Sequence, residues 1–146
     1  MKKPEIKYEL EVKHGTIYGL EEAEILMDVL QNNAPSCGER VMEFQRAFAD
    51  FCGSEYALTT TSATTALTLT GIAAGVGPGD EVITTPLSWI ATASAFSALG
   101  AKIRFCDVDP RTLNMDPDKL EALITDKTKA VVPIHLFGQF APMDEI

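Results

Sequence analysis

Apolar residues recur at intervals of three or four in two segments near the start of the chain, and this spacing predicts two amphipathic helices. The first predicted helix covers residues 20–30, and turn-prone residues at 31–38 interrupt the pattern after it. The second covers residues 39–51. Gly53 follows it as a C-terminal cap, so both ends of this helix are marked in the sequence.

From residue 56 onward, β-prone segments alternate with helical ones. Asp116 followed by Pro117 is a typical helix start, with an N-cap and proline at the first helical position. The predicted strands cover residues 56–60, 81–84, 102–106 and 129–134, and the predicted helices cover residues 64–74, 89–99 and 117–123. Such alternation predicts an α/β fold with a mainly parallel sheet, in which ligands bind at the carboxyl edge of the strands.

Composition narrows the class of protein. With 146 residues, of which 46% are hydrophobic, the chain can form a core. A net charge of -9 argues against nucleic acid or an anionic membrane as a partner. The sequence shows neither a signal-peptide pattern nor an apolar stretch of membrane-spanning length, and its three cysteines lack the spacing of a disulfide framework or zinc site. We therefore expect a cytoplasmic protein.

Small hydroxylated residues stand where the first strand of the alternating region passes into a helix. Ser62, Ala63 and Thr64 would place free backbone amides and hydroxyls at the positive end of that helix, which suits a phosphate group. The same residues are also ordinary N-caps. The segment matches neither a P-loop nor the dinucleotide fingerprint, and the glycines at 75–79 precede a strand, which is typical of a turn.

Three further positions allow two interpretations each. Trp89, the single tryptophan, follows a strand and either stacks on a planar ligand or belongs to the core. Asp107 and Asp109 are more typical of a turn than of a metal site, because no further ligand is near in sequence. His135, at the end of the last strand, either faces a pocket or is a hydrogen-bonded structural histidine.

Taken together, the motifs from Gly38 onward resemble the N-terminal part of the DegT/DnrJ/EryC1/StrS family of sugar aminotransferases. Each motif is weak alone, and their order and spacing over about 100 residues make the resemblance specific. In chain order they are GERVMEF (38–44), SATTAL (62–67), GPGDEVIT (77–84), SWIAT (88–92), GAK (100–102), DVD (107–109), TLN (112–114), ITDKTKA (124–130) and HLFGQ (135–139).

This resemblance implies an aspartate-aminotransferase-like fold, the fold type I large domain, with a mainly parallel sheet that is incomplete in this chain. Residues 1–37 would form an N-terminal helical arm and a substrate-side loop, and residues 38–146 the N-terminal part of the domain that binds pyridoxal 5'-phosphate. Residues 143–146 look like the first turn of a helix, so we expect a fragment of a larger domain.

The resemblance also gives roles to residues. Ser62, Ala63 and Thr64 would bind the cofactor phosphate, Trp89 would stack on the pyridine ring, and Gln139 would lie near the pocket, as would His135. It implies transfer of an amino group from an amino acid, typically glutamate, to a nucleotide-linked keto-sugar by a homodimeric enzyme of polysaccharide biosynthesis. No metal is implied.

Two departures from the family pattern matter. Asn33 and Ala34 replace the usual aromatic residue and glycine, which puts the substrate-side contacts in doubt. The family's Schiff-base lysine and pyridinium-pairing aspartate come later than residue 146, so this chain alone would be inactive and no catalytic residue is assigned in it. Two alternatives stay open: a deoxysugar dehydratase of the same family, with histidine at the lysine position, and a non-catalytic truncated or split product.

Overall fold

The computed structural model describes residues 18–32 and 38–146, and these fall into two compact units, the first ending in sequence at Thr59 and the second beginning at Thr60. The loop residues Asn33 and Ala34 lie outside the described residues. The predicted division between residues 37 and 38 stays a prediction. No helix within the two described ranges is long and apolar enough to cross a membrane.

The first unit contains the two predicted helices, α1 (Leu20–Gln31) and α2 (Glu39–Cys52), which are confirmed. Gly53 ends α2 in the left-handed conformation at φ +66°, where a residue without a β-carbon is not strained. Arg40 links the two helices, since its Nη2 lies 3.0 Å from Asp28 Oδ2.

The second unit alternates helices and strands and confirms the predicted α/β fold. Its elements are α3 (Ala63–Ala73), β1 (Glu81–Thr84), α4 (Ala91–Ser97), β2 (Lys102–Phe105), α5 (Pro117–Leu120) and β3 (Thr128–Val132). The three strands form a parallel sheet in the order β2-β1-β3. Asp116 caps α5 as predicted, its side chain accepting the amide of Asp118 at 3.1 Å.

The central strand β1 separates two hydrophobic clusters because successive side chains of a strand point to opposite faces. Val82, fully buried, packs with Ala95 and Phe96 of α4 on one face. Ile83, also fully buried, packs on the other face with the residues of the second cluster, which are Cys106, Met115 and Leu120. The sheet is therefore covered on both sides, as parallel sheets require.

Gly71 lets α3 approach α4 closely. A β-carbon at this position would lie 2.6 Å from Leu99 Cδ1 and 3.0 Å from the buried ring of Phe96. Overpacking costs about 1–3 kcal/mol, whereas alanine gains about 1 kcal/mol over glycine within a helix. We expect Gly71→Ala to lower the free energy of unfolding in urea by about 1 kcal/mol. Gly77→Ala is the control, since a β-carbon there meets nothing within 4 Å, and a stabilised Gly71→Ala would contradict the close approach.

Two predicted elements differ from the structure. Residues 56–60 belong to no strand, because a β-prone segment becomes a strand only beside a hydrogen-bonded neighbour and none of the described residues supplies one. Tyr56 and Leu58 are accordingly 77% and 82% exposed. The helix predicted at residues 89–99 is shorter, since Trp89 lies in the turn that precedes α4.

Candidate functional site

The N-termini of α3 and α4 lie at the same edge of the second unit. A short turn leads from the end of α3 into the start of β1, and α4 begins after β1 and ends shortly before β2. Both helices therefore run antiparallel to the strands, with their N-termini at the carboxyl edge of the sheet. The contact of Gly71, late in α3, with Leu99, just after α4, agrees with this common direction.

The N-terminus of α3 exposes hydrogen-bond donors. Ser62 is its N-cap, and the Ser62 Oγ accepts the amide of Thr65 at 3.2 Å. The amides of Ala63 and Thr64 have no acceptor among the described residues, and all three predicted residues are exposed. The first turn of α3 carries no acidic side chain, so nothing there repels an anion.

Hydroxyl groups complete this donor set. The Thr60 hydroxyl donates to the carbonyl of Ser62 at 2.9 Å, and Thr61 and Thr65 pair their hydroxyls at 3.3 Å, which fixes the entry to the helix. The Thr64 hydroxyl has no partner in the part of the chain that the structure describes. Two amides and one hydroxyl fit a phosphate group. The N-cap interpretation is thus confirmed. The N-cap hydrogen bond does not use the two amides and the hydroxyl that would bind a phosphate group, and phosphate binding stays a prediction.

Trp89 lies in the connection from β1 to α4 and is 79% exposed, so it is not part of the core that the described residues form. A hydrogen bond between the hydroxyls of Ser88 and Thr92, which lie 2.8 Å apart, stabilises this connection. A cavity of about 240 Å³ opens beside the indole, and its lining residues are Thr85, Pro86, Ser88, Trp89, Ile90, Thr92, Ala93 and Phe105. An exposed ring at the carboxyl edge can stack on a planar ligand.

The third connection of the same edge follows β3 and carries His135 and Gln139. The Gln139 side chain is exposed, and its position at this edge agrees with the prediction without testing a role in binding. His135 Nδ1 accepts the amide of Ala141 at 3.0 Å, and its ring lies edge-on to Phe140, with centroids 5.2 Å apart. One ring nitrogen of His135 therefore has a structural role.

Asp107 and Asp109 are engaged in turns. Asp109 binds both the backbone amide and the guanidinium of Arg111, and the Arg111 side chain is the main cause of its lowered pKa. Asp107 accepts the amide of Val108, which is the main cause of its own lowered pKa, and it also pairs with Lys119 at 3.2 Å. In residues 18–32 and 38–146 no group of three or more possible metal ligands comes together.

Asn114 is a residue that the sequence did not single out for a role at this edge. It is completely buried, and its side chain hydrogen-bonds to the backbone of residues 136, 139 and 140. These partners are 22 to 26 residues away, so no local pattern could have revealed them.

Comparison with known proteins gives one family. The model of the DegT/DnrJ/EryC1/StrS aminotransferase family matches residues 17–146. GDP-perosamine synthase of Caulobacter vibrioides is 50% identical over 111 residues, which are 76% of this chain and 30% of that protein. The UDP-2-acetamido-2-deoxy-3-oxo-D-glucuronate aminotransferase of Pseudomonas aeruginosa is 46% identical over 118 residues, 81% of this chain and 33% of that protein.

Solved structures agree with this assignment. The crystal structure of 3-amino-5-hydroxybenzoic acid synthase matches with a TM-score of 0.83 and 37% identity, over 88% of this chain and 34% of that one. NtdA of Bacillus subtilis, solved with its cofactor PMP, matches with a TM-score of 0.82 and 34% identity, over 87% and 29%. The chain thus spans about a third of the length of its relatives, and the fold type I architecture is confirmed over that part.

Proposed function

The chain belongs to the DegT/DnrJ/EryC1/StrS aminotransferase family, and on that premise we propose that it forms part of the cofactor site of a sugar aminotransferase. The whole enzyme moves an amino group from an amino acid, glutamate as first candidate, to a nucleotide-linked keto-sugar. The two relatives described above, a GDP-perosamine synthase and an aminotransferase named for a UDP-linked keto-sugar, support this substrate class. Residues 38–146 contribute to the large domain, residues 1–37 form an arm, and the enzyme is a homodimer.

One observation carries the proposal: the exposed N-terminus of α3, with its unpaired donors, shares the carboxyl edge with the exposed ring of Trp89. The amides of Ala63 and Thr64 and the Thr64 hydroxyl bind the cofactor phosphate, while the Ser62 hydroxyl keeps the helix end in place. The face of Trp89 orients the pyridine ring. Gln139 adds a polar contact from the third connection. Pyridoxal 5'-phosphate, when bound, supplies the electron sink for amino transfer.

Pyridoxamine 5'-phosphate is the probe that tests this proposal, because it lacks the aldehyde that would attach to surface lysines. Trp89 is the only tryptophan, so quenching of tryptophan fluorescence reports this edge alone. We expect saturable quenching by pyridoxamine 5'-phosphate and much weaker quenching by pyridoxamine, which has no phosphate. Equal binding of the two compounds, or binding of neither, would contradict the proposed phosphate site.

Thr64→Val removes one donor and keeps the shape of the side chain. A hydrogen bond to a charged group contributes about 1.5–3 kcal/mol, so we expect affinity for pyridoxamine 5'-phosphate to fall by about tenfold or more. The measurement is the same fluorescence titration. Thr70→Val is the matched control: it lies farther along α3, where its hydroxyl bonds only the carbonyl of Ala66 at 2.9 Å. Equal losses in the two variants would show that the effect comes from the helix and not from the donor.

A further inference from the structure

We propose that Asn114 is a positioning residue for the cofactor edge: it holds the turn at residues 136–140 in one conformation, and thereby places Gln139 and fixes the hydrogen-bonding state of His135. The part of this proposal that concerns the cofactor rests on the proposed function. The part that concerns the turn rests on the contacts of the buried amide alone.

The side chain of Asn114 makes three hydrogen bonds to this turn. Its Oδ1 accepts the amide of Leu136 at 3.0 Å. Its Nδ2 donates to the carbonyls of Gln139 and Phe140, both at 3.1 Å. An amide group has two donor hydrogens and an oxygen that can accept two hydrogen bonds; here both hydrogens are engaged and the oxygen accepts one hydrogen bond. Asn114 therefore holds the turn at both ends.

The backbone of Asn114 is itself fixed. Its carbonyl accepts the amide of Asp109 at 3.0 Å, and its amide donates to Thr112 Oγ1 at 3.3 Å. The next residue, Met115, is fully buried in the second cluster and forms a bridge with Val108. We call the three side-chain hydrogen bonds of Asn114 to residues 136, 139 and 140 the clamp. The clamp thus connects the turn to the hydrophobic core of the unit.

Within the turn itself, the amides of Gly138 and Gln139 donate to the carbonyls of His135 and Leu136, at 3.2 and 3.0 Å. Phe137 adopts φ +54°, a left-handed conformation that is unfavourable for a residue with a side chain, and Gly138 follows at φ +80°. The Phe137 side chain is 88% exposed, so it contributes no packing that would offset this strain. Strained backbone persists only where the surroundings impose it, and Asn114 is the fully buried polar side chain that does so here.

His135 gives the clamp a measurable consequence. Its Nδ1 accepts the amide of Ala141, so the neutral imidazole carries its proton on Nε2 and presents a donor there. Ala141 is 4% exposed and directly follows the two residues that Asn114 binds. If the clamp is removed, the Ala141 amide is no longer held opposite the ring, and the hydrogen bond that restricts His135 to the Nε2–H tautomer is lost.

NMR of the ¹⁵N-labelled chain tests the clamp without any ligand. The chain has two histidines, and a His14→Gln background leaves His135 as the only imidazole signal. We expect the parent to show the Nε2–H tautomer and a protected Ala141 amide. Asn114→Asp keeps the size and the acceptor but loses both donors. It should show mixed tautomers and at least tenfold faster exchange at Ala141, and Asn114→Ala should behave alike.

A control variant with a defect elsewhere in the core tests whether the role of Asn114 is merely structural. Val82→Ala creates a defect in the other cluster, away from the turn, and should leave the His135 tautomer and the Ala141 protection as in the parent. The clamp is overturned if both Asn114 variants keep the parent's tautomer and protection, or if Val82→Ala loses them to the same degree.

Binding of pyridoxamine 5'-phosphate tests the link to the cofactor. We expect Asn114→Asp to lower the affinity by about tenfold, and Val82→Ala to leave it unchanged. If the NMR signals change and the affinity does not, the positioning role is wrong although the clamp exists. If the parent itself does not bind, the proposed function fails together with the link to the cofactor, while the NMR result still decides the clamp.

Discussion

The difference in stability between the parent chain and Glu81→Gln will be largest at neutral pH and will shrink as the pH falls through about 2. Glu81 begins the central strand and is 6% exposed. Its carboxylate accepts hydrogen bonds from Arg104 at 3.0 Å, Thr125 at 2.9 Å and Lys102 at 3.3 Å. These groups, Arg104 first, lower its pKa from 4.5 to about 2.

The direction of the effect follows from this lowered pKa. The folded protein favours the ionised form of Glu81 more than the unfolded chain does, so the contribution is complete above the unfolded pKa of 4.5. It is lost as the pH falls from about 4.5 to about 2, where the carboxyl group becomes protonated in the folded state too. Glutamine is neutral at every pH and resembles the protonated acid.

Urea unfolding followed by circular dichroism between pH 7 and pH 2 measures this difference. Dilute protein is needed, because the chain's isoelectric point of about 4.6 lies near the window. Glu121→Gln is the control, since Glu121 is exposed and lies outside the sheet. A difference between parent and Glu81→Gln that stays constant over the whole range would contradict the role of the charge.

The contacts of Glu81 also show which features of the sheet could be predicted. The central strand could be predicted from the sequence, and the ion pairs and hydrogen bonds that connect it to its neighbours could not. The strand at residues 81–84 is evident from local composition, and so is the turn before it. The partners of Glu81 are 21 to 44 residues away, on β2 and in the segment before β3. Nothing in the sequence near Glu81 shows whether its carboxylate is buried in an ion pair or exposed to solvent.

In the candidate site, too, features that depend on nearby residues in the sequence could be predicted, and features that depend on distant residues could not. The cap formed by Ser62 was predictable, because an N-cap depends only on residues three positions apart. The exposure of Trp89 was not predictable, because burial depends on what packs over a residue. For residues 56–60, β-propensity favoured a strand, yet pairing needs a neighbour that a local pattern does not contain.

Trp89→Ala will weaken the binding of pyridoxamine 5'-phosphate by about 5- to 150-fold and leave the stability nearly unchanged. Stacking of a ring on an aromatic side chain contributes about 1–3 kcal/mol, whereas substitutions at exposed positions change stability by less than about 0.5 kcal/mol. With 79% of its surface exposed, Trp89 has little packing to lose. Because the variant has no tryptophan, calorimetry replaces fluorescence for the affinity.

Ile90→Ala separates stacking from general apolar contact. Ile90 is 75% exposed and lines the same cavity, but it has no ring. We expect a small loss of affinity in this variant and an intermediate loss in Trp89→Phe, which keeps a smaller ring. Equal losses in Ile90→Ala and Trp89→Ala would show that the cavity binds by apolar contact and that no ring stacks on the indole.

A double variant, Trp89→Ala with Thr64→Val, tests whether one ligand uses both connections. The two side chains belong to different connections of the edge and share no hydrogen bond within residues 18–32 and 38–146. If the phosphate lies at α3 while the ring lies on Trp89, the two losses in binding free energy should add to within about 0.5 kcal/mol. If the double variant binds no more weakly than one of the single variants, the two side chains do not bind separate parts of one ligand.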